Sequence, residues 1–152
     1  MNNKIKNIFY IFLPIVLGSL IGILISNYID YSNLAKPPLA PPKILFPIAW
    51  SIIYLLMGIS YYLYKKEDNY DKKITITYYL QLFVNLLWSI IFFIFKARLI
   101  SSLWIILLDL LVIYLIYLFK KNNNKISAYL NIPYLIWILF ATYLTIGIYY
   151  LN

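Results

Sequence analysis

Five long apolar runs, separated by short polar breaks, take up most of this chain. They cover residues 5–28, 44–64, 74–95, 99–119 and 127–151. At about 1.5 Å per residue, a helix of each run reaches across the roughly 30 Å hydrocarbon core of a bilayer. A helix also satisfies its own backbone there, where no water can. The expected fold is an all-α membrane protein, a bundle of five transmembrane helices forming one domain over residues 1–152. Composition agrees. The chain is 64% hydrophobic and 12% charged, against about 45–50% and about 25% for soluble domains. The first run is too long for the apolar part of a cleaved signal, and no small-residue cleavage site follows it.

The net charge of +8 does not point to nucleic acid, because all 13 Lys and Arg lie between or at the ends of the apolar runs. That is the pattern that sets membrane topology. Nine of them (Lys4, Lys6, Lys65, Lys66, Lys72, Lys73, Lys120, Lys121, Lys125) fall on one side. Four (Lys36, Lys43, Lys96, Arg98) fall on the other. The excess predicts a cytoplasmic N-terminus and a C-terminus outside. The sequence has no Cys and no His, so disulfides, thiol nucleophiles and imidazole bases are excluded, and no metal site is expected.

Between the first two runs lies Lys36-Pro37-Pro38-Leu39-Ala40-Pro41-Pro42-Lys43. Proline fixes φ and removes a donor, so this connection is stiff and non-helical, a candidate lid. The second run then carries Phe46, Trp50, Tyr54 and Met57 on one helical stripe. In the third run Gln81, Asn85 and Trp88 share a face, and buried amides there need protein, water or a ligand as partners. Asp109 is the one acidic residue inside a run. It must face the bundle interior, and with no basic residue at its depth its partner should be a hydroxyl, amide or indole. Gly18, Gly22 and Ser26 recur every four residues and suit close helix packing within the chain. Ser127 is a candidate N-cap for the fifth run, and Asn131 with Pro133 predicts a kink whose freed carbonyl is satisfied by a side chain or water.

Three ordered blocks carry a family likeness. They are Leu34 to Pro42 with Phe46, Trp50, Tyr54, Met57 and Gly58; Gln81 to Ser89 with Phe92 and Phe93; and Ala128 to Leu144 with Pro133, Trp137 and Ala141. In residue type and spacing the chain resembles the TspO/MBR family, the translocator or tryptophan-rich sensory proteins. The resemblance implies a five-helix bundle, often a homodimer, with a pocket under the first loop for porphyrins such as protoporphyrin IX or benzodiazepine-site drugs. Carried over, the ligand-binding positions are Phe46, Trp50, Tyr54, Asn85, Trp88, Trp137 and Ala141, with Asp109 added from its burial, and Pro37, Pro38, Pro41 and Pro42 as the lid. No cofactor is required; the porphyrin is a ligand, held by stacking and hydrogen bonds, and Lys36 and Lys43 at the mouth would attract its carboxylates. The resemblance also implies a possible photo-oxidative breakdown of porphyrin, with Trp50 and Trp137 as the catalytic indoles. Leu45, Lys43 and Thr145 depart from the usual family residues, and no basic residue follows the last tyrosines, so the sterol-recognition pattern that needs one is absent. Internal repeats of the kind seen in coupled transporters are absent. A structural scaffold would explain each stripe singly but not their convergence.

Overall fold

The computed structural model describes residues 2–67 and 69–152. Every regular element among them is helical: α1 (Asn3–Ile25), α2 (Leu45–Lys66), α3 (Lys72–Ser89), α4 (Arg98–Lys121), α5 (Lys125–Leu130) and α6 (Ile132–Leu151). Five stretches are long and apolar enough to cross a membrane, the last formed by α5 and α6 together. The polar loop expected between the second and third runs includes Asp68, which lies outside the described residues.

Local chemistry sets the ends. Asn2 Oδ1 caps α1 at Lys4 N (3.4 Å), and Asp71 Oδ1 caps α3 at Lys73 N (2.8 Å). Lys65 and Lys66 extend α2 past the predicted residue 64, where cations suit the negative end of a helix. The third run is not regular to its end. A π-helical turn over Ile90–Ile94 follows α3, and Phe95 N reaches back five residues to Ile90 O (3.2 Å). The fifth run breaks at Asn131, two residues before Pro133. Pro133 has no N–H to offer Tyr129. At the break, Asn131 Nδ2 donates to Ser127 O (2.8 Å) and Ser60 Oγ (2.6 Å), so a side chain braces the kink at Ser127 rather than at the Tyr129 carbonyl. Ser127 does not act as the N-cap. The helix starts earlier, at Lys125, and Ser127 Oγ reaches across to Ser60 O (2.8 Å) while Ser60 Oγ donates to Ser127 O (3.1 Å).

The core is filled by Met57, Tyr61, Tyr78, Leu115, Phe119, Tyr134 and Ile138, all nearly inaccessible. Large apolar side chains such as Phe83, Leu103 and Ile136 point outward. That surface is at odds with water and fits lipid. α1 is the peripheral helix and packs mainly along α2. The two touch most closely where Gly58 faces Ile11: any Cβ at 58 would fall on the Ile11 backbone carbonyl.

At one end of the bundle Asn69 and Asn122 exchange amide–carbonyl bonds (3.0 and 2.7 Å), and Asn124 bonds Glu67. At the other, Asp30 is held by Lys96 (3.3 Å) and by Arg98 Nη2, which reaches both carboxylate oxygens (3.1 and 3.3 Å). Partial burial pushes the Asp30 carboxyl up, but the hydrogen bonds and charges of Lys96 and Arg98 outweigh it and hold it below its ordinary 3.8.

Gly58→Leu is expected to destabilise the solubilised protein by about 1–3 kcal/mol, because backbone rather than a movable side chain blocks the new atoms; thermal unfolding measures this. The Asp30 clamp contributes stability above its unfolded pKa, lost as pH falls through the lowered folded value. The melting-temperature gap between wild type and Asp30→Asn should therefore be present at neutral pH and shrink below pH 3.8.

Candidate functional site

A cavity of about 770 Å³ lies between α1, the first turns of α2, the end of α3 and the middle of α6. It falls within the range of about 300–1,000 Å³ typical of small-molecule sites. Its α2 wall is the predicted stripe of Phe46, Trp50 and Tyr54. Trp50 stacks on Tyr54 with ring centres 5.4 Å apart, and Phe46 meets Tyr31 edge-on at 5.1 Å. The facing wall is Trp88 stacked on Phe92 (5.2 Å), with Phe93 beside them. The π-helical turn is what brings Phe92 and Phe93 both to this wall. Arg98 holds the turn from behind, donating to Phe92 O (2.7 Å) and lying 4.2 Å over the Phe92 ring. Ala141, Leu144 and Thr145 close the α6 side.

Polar groups are few. Thr145 Oγ1 donates to Ala141 O of its own helix (2.7 Å). Trp88 Nε1 is buried and has no partner among the described residues. Lys43 is the charged side chain at the rim. Such a lining holds a flat apolar molecule by its faces and offers one cation for a polar edge.

Of the predicted ligand positions, Phe46, Trp50, Tyr54, Trp88 and Ala141 line this cavity, whereas Asn85, Trp137 and Asp109 do not. Asn85 lies deeper, fully engaged. It accepts from Tyr54 Oη (2.7 Å) and donates to Tyr134 Oη (2.8 Å); Tyr134 Oη donates to Gln81 Oε1 (2.8 Å), and Gln81 Nε2 approaches Met57 Sδ (3.3 Å). Asn85 therefore supports the cavity through Tyr54. Trp137 stands behind the wall, edge-on to Trp50 (6.4 Å) and Phe46 (5.9 Å). It faces a second, apolar cavity of about 460 Å³ with Ala49, Ile52, Pro133 and Phe140. Asp109 joins α4 to α6, accepting from Thr142 Oγ1 (2.7 Å), the hydroxyl partner its surroundings demanded.

The four prolines do not line the cavity either. The connection is a strap fastened to α6. Pro37 packs on Gly147, where a Cβ would come within 2.6 Å of its ring. Tyr143 Oη donates to Pro38 O (2.8 Å), and Asn152 exchanges two bonds with the Ala35 backbone (3.0 and 2.8 Å). Tyr31 Oη donates to Pro41 O (2.8 Å), so the strap borders the cavity through Tyr31. Lys36 is not a mouth cation: its ammonium donates to the carbonyls of Tyr31 (3.0 Å) and Leu34 (2.8 Å). Tyr31 and Thr145 were not foreseen as wall residues. Tyr31 sits in a short 3₁₀ turn with no periodicity to mark it.

The chain matches the TspO/MBR family over residues 10–151. It belongs to that family. Its relatives include a tryptophan-rich protein TspO of Archaeoglobus fulgidus, 40% identical over 123 residues, covering 80% of this chain and 79% of the relative. The protein CrtK of Rhodobacter capsulatus is 31% identical over 125 residues (80% and 78%), and a translocator protein homolog of Schizosaccharomyces pombe is 31% identical over 144 residues (91% and 87%). As a TspO/MBR protein with five spans, the chain is a multi-pass membrane protein.

Within this TspO/MBR fold, Asn85→Leu should cost roughly 1–3 kcal/mol, because it leaves the buried hydroxyls of Tyr54 and Tyr134 short of partners. Trp88→Phe, which removes an unpartnered N–H, should cost less; unfolding of the two variants in the same detergent makes the comparison.

Proposed function

We propose that this protein is a membrane receptor or carrier that binds a flat, hydrophobic, acidic ligand of the tetrapyrrole class, such as protoporphyrin IX, and accepts benzodiazepine-site-type molecules in the same cavity. The observation that carries this reading is the pair of aromatic walls, Trp50 on Tyr54 and Trp88 on Phe92, facing a cavity of about 770 Å³ with Lys43 at its rim. Opposed ring faces suit a planar macrocycle. Lys43 supplies a modest, solvent-screened attraction for a carboxylate. One relative bears the name tryptophan-rich sensory protein, from Cereibacter sphaeroides, and another is named a translocator protein homolog. Both names are compatible with a bound small molecule that is sensed or moved.

The same proposal places the N-terminus in the cytoplasm and the strap outside, on the nine-to-four division of Lys and Arg. It includes a homodimer, for which the outward row Ile76, Leu80 and Phe83 on α3 offers an apolar face. The Gly18–Gly22 stripe does not serve there, since Gly18 abuts the Tyr54 ring and Gly22 lines the cavity.

A second reading is light-driven oxidation of the bound tetrapyrrole by dioxygen. It is favoured by the contact of Trp50, a wall residue, with Trp137 behind it. Under it, illumination should bleach bound porphyrin faster than free porphyrin in detergent, and Trp50→Phe should slow this more than Trp137→Phe.

Protoporphyrin IX titrated against the solubilised protein should quench tryptophan fluorescence saturably. Trp50→Phe and Trp88→Phe should weaken binding several-fold, and Trp137→Phe should weaken it less. Weak, unsaturable and identical curves for wild type and variants would sink the tetrapyrrole reading.

A further inference from the structure

α1 and α2 part company along their length, and three glycines record it. At Gly58 the helices touch backbone to backbone; at Gly18 the α1 backbone lies against the Tyr54 ring; at Gly22 a Cβ would meet nothing within 4 Å. The two helices therefore diverge from a tight crossing toward the strap end. The cavity's margin in this gap is formed by Ser19, Gly22 and Ile23 from α1 and by Ile44, Pro47 and Ser51 from the start of α2. Ile23 is 72% and Ile44 67% exposed, so these side chains border the cavity and the outer surface at once.

The other flanks are fastened. Arg98 ties the π-helical turn to Asp30, and the strap is bonded to α6 through Tyr143 and Asn152. The gap itself lies within the apolar spans, so lipid rather than water faces it. Two of its hydroxyls suit that setting. Ser26 Oγ donates to Ile23 O (2.7 Å) and Ser51 Oγ to Pro47 O (2.7 Å), each within its own stretch of chain. The charge bordering the cavity is positive, Lys43, at the end of the gap where α2 begins, and no Asp or Glu among the described residues lines the cavity.

We propose that the cavity is loaded sideways from the bilayer, through the gap between α1 and α2, by an apolar molecule whose carboxylate head comes to rest at Lys43. An amphiphile dissolved in a leaflet already holds its acid at the interface and its apolar body at the depth of the gap. It enters without crossing water, and Lys43 meets the head at the level where it began. The proposal deepens the reading of this cavity as a ligand site. It needs the cavity to bind an acidic apolar molecule but does not need that molecule to be a tetrapyrrole.

The test uses the full chain in phosphatidylcholine vesicles, with a dibrominated stearic acid whose bromines quench nearby tryptophans, followed by stopped flow. Wild type should show a saturable quenching phase. Gly22→Phe places a ring in the open gap and should slow association about tenfold, with the melting temperature unchanged. Ser51→Phe, from the opposite wall, should do the same and guards against a folding defect in either variant. Lys43→Gln should weaken the brominated acid several-fold and leave its methyl ester unaffected. Unchanged association rates in both gap variants would overturn the route, as would lost affinity at an unchanged association rate, which would place the ligand's own body at Gly22. Equal binding of acid and ester by wild type would overturn the head-group assignment. Parallel arms with protoporphyrin IX separate this proposal from the last: saturable binding of the brominated acid without binding of protoporphyrin IX removes the tetrapyrrole and keeps the portal.

Discussion

In hydrocarbon a polar side chain must find its partner inside the protein, and the bundle is built around one place where that demand is met. Tyr54, Asn85, Tyr134, Gln81 and Met57 form a continuous chain of contacts across α2, α3 and α6. Each amide end and each phenol has a fixed neighbour, and all five residues are buried. The alternative to this network is unpaired groups in an apolar core, which is costly. It therefore sets the relative depth of three helices more sharply than apolar packing could. Apolar side chains slide past one another; a saturated set of donors and acceptors does not.

The cavity follows from what sits above that layer. Tyr54 is held by Asn85 from below and forms the floor against which Trp50 stacks. On the far side the π-helical turn and Arg98 position Phe92 under Trp88. The walls are rings fixed by other contacts, so the space between them is largely pre-formed, which lowers the cost of ordering on binding. The remaining side is α1, which packs closely on α2 around Gly58 and Gly18 and leaves open space at Gly22. The peripheral helix thus forms one flank of the cavity.

Much of this was legible in the sequence. The five spans, the aromatic stripe on α2, the kink near Pro133 and the inward-facing Asp109 all follow from period, length and the cost of polarity in lipid. The rest turned on features that periodicity does not carry. Asn85 and Trp88 share a helical face, yet one turn of depth separates a residue saturated by two tyrosines from one lining open space. Trp137 lies on the expected side of α6 but behind Trp50, because the first indole fills the way to the cavity. Lys36 looked like a free cation until the strap folded its own carbonyls around it. Asp30 and Arg98 are 68 positions apart, and no local signal pairs them.

The π-helical turn at Ile90–Ile94 holds one residue more than an α-helix would need between the same neighbours. Seen as an insertion, it gives the protein a register adjustment confined to one wall. Deleting a single residue there would let α3 run on as a regular helix. Residues beyond the turn would keep their places, while those within it would shift by up to about 100° about the axis relative to Trp88. Phe92 would leave its place beneath the indole, and Arg98 would lose the carbonyl it now holds. The length of this one turn couples the shape of the cavity wall to the ion pair with Asp30, so a change of one residue would alter both together.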